Sequence, residues 1–412
     1  MDIAIYHDLP SGGAKRSLYE TVRLLSRSHN LYLHSLSTAA EEFCDVRPFV
    51  DRWTVYAYSP GALFGRPFGR LNQVRRWRDL HRLDDLSREI ATDIDREGYD
   101  VVLAEPCMWT QAPLVLRHLK TPAVYYCQEP PRGLYDAAVP GYPNATGWRA
   151  VLDRIDPAIA MYRSTLRRLD WAAARSARVV LVNSRFMRDA IAAIYGIEPH
   201  VAYLGVDPTF WCPSADVERQ PYVLSVGAIQ PHKGFRFLVE SLATIPVDHR
   251  PPLWLVGNAV DPAERQAIEA LATSHGVALR IELLPDQPVL VRRYRGAALV
   301  AYAPYNEPLG LVPLEAMACG TPVVGVLEGG VRETVVDGVT GLVVKRDASA
   351  FGAAIEHLLG EPATQRRLGT NGREHVLAHW TWESSVSRVE QQLRLAAGMK
   401  TPSQPPSEAV PL

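Results

Sequence analysis

Residues 306–324 read NEPLGLVPLEAMACGTPVV, and this stretch decides the fold. Pro304 and Pro308 keep its approach non-helical, while Leu311, Leu314, Glu315, Ala316, Met317 and Ala318 are helix formers, so a helix is predicted to open near Leu309 or Gly310. A buried strand over 322–325 follows, giving one loop, helix and strand unit of an alternating α/β chain. The first helical turn offers unpaired N–H groups and the positive end of the dipole to a phosphate or diphosphate, and Gly310 lets a ligand come close to the backbone. Glu307 precedes that turn. Glu315 follows eight positions later, roughly 12 Å along the axis if the segment were wholly helical at about 1.5 Å per residue. Two carboxylates that hydrolyse a glycosidic bond stand about 5 to 9.5 Å apart, so the spacing disfavours a glycosidase dyad and suits the two ends of one long ligand, such as a nucleotide sugar. The plainer alternative is a solvated Glu307 and a Glu315 on an ordinary helix face.

Three further segments share the pattern of strand, loop and helix. Residues 222–227, YVLSVG, read as a buried strand, followed by a turn over 228–232 and a helix beginning near Lys233 and Gly234. Lys233 is the cation of that loop; at about 4 Å from a phosphate oxygen and an effective dielectric near 20, it gains roughly 4 kcal/mol before desolvation. A lone lysine at a helix start is usually just solvated. Beyond strand 322–325, Gly329 and Gly330 permit positive φ and an amide nest for an anion. The strand over 3–7 runs into DLPSGGAKRSLYE, whose Gly12 and Gly13 precede a helix but lack the full GxGxxG fingerprint.

With these segments stand YYCQEPPR at 125–132, VNSRFMRDAI at 182–191, AYLGVD at 202–207, VGAIQPHKG at 226–234, and the block from Tyr305 through GGVRETVVDGVTGLVV to Val344. Together, and in this order, they resemble the retaining glycosyltransferases of the GT-B fold, family 4, from the first strand to about Leu395. The resemblance implies two facing Rossmann-like parallel-sheet domains with a C-terminal helix crossing back. It implies that Glu307 contacts the donor sugar, Glu315 the ribose hydroxyls and Lys233 the diphosphate. Gly310 and Leu311 would offer backbone donors, Gly12 and Gly13 would line the cleft from the N-terminal side, and Gly227, Gly257 and Leu284 complete the donor-binding set. Base recognition would come from around Asn258 and residues 284–286.

Two positions depart from the family. Ala228 stands where relatives carry an arginine, removing one diphosphate cation, with Arg236, Arg132 and Arg332 as candidate substitutes. Gln128 stands where many relatives place a histidine near the reacting sugar; it can hydrogen-bond a hydroxyl but cannot take a proton. Glu129 beside it is either a general base or a group that orients the acceptor. A front-side retaining transfer, in which the departing diphosphate helps deprotonate the acceptor, needs no protein base. The implied activity is transfer of a sugar from a UDP- or GDP-linked donor, as co-substrate and without other cofactor, to a hydroxyl on a saccharide, lipid-linked or small-molecule acceptor. Polysaccharide, glycolipid and natural-product glycosylation all fit. The alternatives are a sugar-nucleotide binder of this fold that has lost turnover, or another GT-B enzyme such as a nucleotide-sugar epimerase.

Composition agrees. The 412 residues are 47% apolar and 22% charged, ordinary for a globular enzyme of two or three domains. The net charge of −1 gives no reason to expect nucleic acid. The five cysteines have no paired spacing, which argues against disulfides and zinc, and no aspartate pair of the metal-chelating type follows a strand, so a metal-free site is expected. Asp84 and Asp85 read as part of a charged helix. No run approaches the length of a membrane span, and the start shows no basic and apolar leader, so a cytoplasmic chain is expected. The stretch 61–83 mixes six arginines with Phe64, Phe68, Leu71 and Trp77. It reads as a peripheral contact with the inner face of the membrane, a clamp for an anionic acceptor, or a solvated helix face with Trp77 in the core. The expected division is an N-terminal acceptor-side domain over 1–207, a Pro-containing linker over 208–221, a nucleotide-sugar domain over 222–382, a crossover helix over 383–397 and a Pro- and Ser-rich disordered tail over 398–412.

Overall fold

The computed structural model describes residues 1–65, 71–135, 156–283 and 286–400; Leu284, Arg66, Phe68, Arg70 and the tail beyond Lys400 lie outside the described residues. The chain forms two compact units. Among the described residues the first holds the chain up to Ala202 and again from Ser385, and the second holds Tyr203–Ser384.

In the first unit, strands β1 (Asp2–Asp8), β2 (Asn30–Leu36), β3 (Arg52–Tyr56), β4 (Val101–Cys107), β5 (Ala123–Cys127), β6 (Val179–Val182) and β7 (His200–Val201) form one sheet in the order β3-β2-β1-β4-β5-β6-β7. Every neighbouring pair is parallel. Among the described residues, the longer helices between them are α1 (Gly13–Leu25), α2 (Asn72–Glu97), α3 (Pro157–Ser176) and α4 (Arg185–Tyr195). Sequence explains where two of these start: Asp156 caps α3 ahead of Pro157, and the Ser184 hydroxyl accepts from the Met187 N–H at the start of α4. β4 is buried along its whole length, yet carries Pro106, which has no N–H to give the ladder, and its register against β1 shifts there, between Tyr6 and Asp8.

In the second unit, β8 (Gln220–Val226), β9 (Leu253–Gly257), β10 (Leu279–Leu283), β11 (Ala297–Tyr302), β12 (Val323–Val326) and β13 (Gly341–Val344) form a parallel sheet in the order β10-β9-β8-β11-β12-β13. Its longer helices, among the described residues, are α5 (Phe235–Ala243), α6 (Pro262–His275), α7 (Gln287–Gly296), α8 (Leu311–Ala318), α9 (Ala348–Gly360) and α10 (Pro362–His379). Phe235, Leu238, Phe351 and Ile355 from α5 and α9 seal one face of the sheet. The last helix, α11 (Trp382–Ala396), groups from Ser385 onward with the first unit, where Glu390 meets the His29 ring at 3.0 Å.

The α/β expectation of parallel sheets covered by helices matches this architecture in both units. Residues 208–219 pack on the second unit: the Trp211 ring sits edge-on to Tyr294 at 5.5 Å, and Arg373 donates to the Trp211 carbonyl at 2.8 Å. From Asn72 onward the basic stretch is α2, with Leu80 and Leu83 buried. Trp77 is half-buried with its indole N–H on Thr165 at 3.2 Å, whereas Leu63, Phe64 and Leu71 are exposed. Asp84 on α2 meets Arg117 at 2.6 Å and His118 at 2.9 Å. All five cysteines are free; Cys107, Cys127 and Cys319 are buried, Cys44 and Cys212 partly exposed. Among the described residues no helix is long and apolar enough to cross a membrane.

Candidate functional site

Open parallel sheets bind ligands beyond the carboxyl ends of their strands, at the point where strand order reverses. In the second unit that point lies between β8 and β11, because the chain runs from β8 outward through β9 and β10 and then returns to β8's other side. The loops leaving β8 and β11 are 227–234 and 303–310, and they hold Lys233 and Glu307. Lys233 Nζ donates to Glu307 Oε2 at 2.9 Å, with both side chains largely buried.

Several backbone contacts fix that pair. A single turn of 3₁₀ helix, Pro231–Lys233, ends at Gly234, whose φ of 72° favours glycine and whose Cβ, if present, would land on the Ala303 carbonyl. The Tyr305 N–H donates to the His232 carbonyl at 2.8 Å, stitching the two loops together. Asn306 takes the left-handed conformation at φ 47°, and the Gly330 N–H donates to the Glu307 carbonyl at 2.8 Å. The amide nest expected at Gly329 and Gly330 is therefore not what the pair forms, since that N–H already serves Glu307. A Cβ on Gly329 would stand 2.5 Å from the Glu307 carbonyl oxygen, and one on Gly330 would strike the Pro308 carbonyl. These glycines make room for another backbone.

Helix α8 opens at Leu311, with Gly310 as its N-cap at φ 95° and no side-chain cap, so its first N–H groups face the same loop. Glu307 lies in the loop ahead of this helix, so a helical rise does not set its separation from Glu315. Glu315 is 3% exposed, and its Oε2 accepts from the Tyr294 hydroxyl at 2.7 Å. Gly227 and Gly257, at the ends of adjacent strands, lie so close that a Cβ on Gly257 would come within 2.9 Å of the Gly227 carbonyl. Of the arginines proposed to replace the missing cation at Ala228, Arg236 is paired with Glu264 and Arg132 with Glu129, while Arg332 is exposed.

The first unit holds the other predicted residues at its own strand ends. Gly12 caps α1 and Gly13 begins it, beyond β1. Gln128 follows β5 and is held by Asn183, which donates to its carbonyl and its side-chain oxygen, both at 3.1 Å. Glu129 accepts from Arg132 at 2.7 Å, a contact that suits an orienting role.

Two clusters escaped the sequence. Glu105, inside β4, is completely buried with no hydrogen-bond partner on either oxygen, and burial pushes its pKa well above the usual range. Behind Gly12 and Gly13, the buried Lys15 donates to Glu41 at 2.8 Å, and His7 Nε2 stands 3.1 Å from the same carboxylate. His7 Nδ1 accepts from the Leu9 N–H, so a neutral ring carries its proton on Nε2, toward Glu41. Burial would raise the Glu41 pKa, but His7 and Lys15 outweigh it and hold it at about 2. Only side chains that are far apart in sequence make these clusters, and neither has a motif. Among the described residues no three His, Cys, Asp or Glu side chains gather as a metal site.

Comparison with known proteins places these features. The family profile "Glycosyltransferase Family 4" matches residues 11–210 and "Glycosyl transferases group 1" matches residues 213–375. A GDP-mannose-dependent alpha-(1-6)-phosphatidylinositol monomannoside mannosyltransferase of Mycolicibacterium smegmatis is 32% identical over 258 residues, 56% of this chain and 65% of its own. An alpha-maltose-1-phosphate synthase of the same organism is 34% identical over 241 residues, 51% of this chain and 61% of its own. A D-inositol 3-phosphate glycosyltransferase of Rhodococcus opacus is 33% identical over 218 residues, 51% of this chain and 46% of its own. The chain thus spans roughly half to two thirds of the length of these curated relatives. Among solved structures, sucrose-phosphate synthase from Thermosynechococcus elongatus superposes with a TM-score of 0.74 at 23% identity, covering 96% of this chain and 98% of its own. Anabaena HepE, solved with UDP and glucose, gives 0.70 at 20% identity, covering 96% and 100%. At these identities the likeness carries the fold.

Proposed function

Because the chain belongs to the GT-B glycosyltransferases of the family 4 type, we propose that it transfers a sugar from a nucleoside-diphosphate donor to an acceptor hydroxyl with retention of anomeric configuration. One observation carries this reading: Lys233 and Glu307 meet at 2.9 Å where strand order reverses, beside the uncapped N-terminus of α8. Lys233 and the α8 amides receive the diphosphate, whose charge grows as its bond to the sugar breaks. Glu307 accepts hydroxyl hydrogen bonds from the sugar, and Glu315 reaches the ribose while held by Tyr294. The acceptor oxygen attacks from the face the diphosphate leaves, and its proton passes to the departing diphosphate oxygen. Gln128 and Glu129 orient the acceptor. The donor nucleotide is UDP or GDP, the latter named for the mannosyltransferase relative and the former present in the HepE structure.

Incubation with UDP- and GDP-sugars, with and without acceptor extracts, reads nucleoside diphosphate release. Turnover is expected, unchanged by a chelator. Glu307→Ala should lower kcat about 100-fold and Glu315→Ala should mainly raise the donor KM, by about tenfold for every 1.4 kcal/mol that the carboxylate gives to donor binding. Full activity in both variants would sink the assignment. A second reading, a donor binder without turnover, draws on Ala228, since Arg236 is engaged with Glu264; donor binding with no release in any acceptor mixture would favour it.

A further inference from the structure

The loop carrying Glu307 has an unusual supply of hydrogen bonds. Pro304 and Pro308 contribute no N–H, Asn306 is held in the left-handed region, and the carbonyls of Ala303 and Pro304 lie beyond the end of β11. Both carbonyls are taken by one side chain, Arg346, two residues past the end of β13. Its Nη1 donates to Ala303 O at 3.0 Å and its Nη2 to Pro304 O at 2.8 Å. The same guanidinium grips Glu328 with a fork, Nε to Oε1 at 2.8 Å and Nη2 to Oε2 at 2.7 Å. Its guanidinium carbon lies over the Tyr305 ring, 3.8 Å from the centroid.

Arg346 therefore joins the loop after β11 to the loop after β12, next to the glycine pair that receives the Glu307 backbone. Its charge is matched by Glu328, which suits a strut better than a diphosphate ligand. A Cβ on Gly234 would meet the Ala303 carbonyl and stand 3.4 Å from Arg346 Nη1, so the Lys233 turn abuts the same anchor. We propose that Arg346 is a positioning residue of the donor site, fixing residues 303–307 so that the Glu307 carboxylate stands against Lys233. This rests on Glu307 acting on the donor. Lysine could replace the charge but not the planar fork that reaches a carboxylate and two carbonyls together.

The test is a double-mutant cycle on the full chain, using whichever of UDP-glucose or GDP-mannose binds, with calorimetric donor affinity, kcat, KM and melting temperature read together. Arg346→Met should weaken donor affinity and kcat/KM at least tenfold, Arg346→Lys by less, and Glu328→Gln should fall between wild type and Arg346→Met. In a Glu307→Gln background, Arg346→Met should cost little more in donor affinity. If Arg346→Met does not fold, Arg346→Lys carries the same cycle. A variant with a lowered melting temperature but unchanged donor KM and affinity would overturn the proposal, as would losses that add in full to those of Glu307→Gln. Glu307→Gln with wild-type donor affinity and turnover would instead overturn the site reading beneath it.

Discussion

Glu105 sits in the middle of β4 with neither oxygen bonded, a carboxyl that burial keeps protonated well above its usual range. The folded state therefore holds this proton more tightly than the unfolded chain. The stability it supports is complete below the unfolded pKa of about 4.3 and is lost as pH rises toward the raised folded value. Glu105→Gln is isosteric and cannot ionise, so it should be the more stable protein above that pH, with an advantage growing by up to about 1.4 kcal/mol per pH unit until the folded pKa is reached. Urea melts of both proteins from pH 4 to 8 check this; parallel curves would show that Glu105 ionises normally. Glu41 has the opposite sign, since His7 and Lys15 depress its pKa to about 2 and its contribution is lost only as pH falls below about 4.3.

Among the elements, α8 with its approach loop shapes the second unit's candidate site, and the segment 328–330 is the wall it leans on. Gly330 has an ordinary negative φ, so alanine there costs nothing in backbone torsion, yet its Cβ would strike the Pro308 carbonyl. Gly330→Ala should therefore destabilise by about 1 to 3 kcal/mol through overpacking, and its residual activity should show a raised donor KM because the displaced backbone is that of Glu307 to Leu309. Thermal melts and donor kinetics measure the two effects; a melting temperature and KM equal to wild type would show that the loop yields freely. The start of α8 was legible from Pro308, Gly310 and the helix formers after them, because local chemistry sets a helix boundary. The purpose of the glycine pair was not, because what presses on Gly329 and Gly330 lies more than twenty positions upstream in sequence. Arg346 was hidden for the same reason: only the sheet order brings it against Ala303 and Pro304.

At the scale of the whole molecule, the alternation of strands and helices was enough to give two parallel sheets, because strands buried on both faces leave long apolar runs. Motifs from strand ends singled out Lys233 and Glu307, which the fold brings together. The sequence could not show that these side chains touch, nor that Glu315 is held by Tyr294, since both facts depend on packing between elements. A donor that binds only the folded chain should raise the melting temperature by mass action, worth about 2.7 kcal/mol at a hundredfold excess over Kd. A thermal-shift panel of UDP, GDP, ADP and their sugars should single out one base; an unmoved transition across the panel would count against nucleotide binding. The cysteines offer a way to follow the protein while it works. Cys107, Cys127 and Cys319 are sealed in the interior, leaving Cys44 in one unit and Cys212 in the other as the accessible thiols, with Cys44 slowed because burial raises its pKa. The unaltered chain thus comes with a natural attachment point in each unit, so that a single fluorophore or spin label can follow either one by itself.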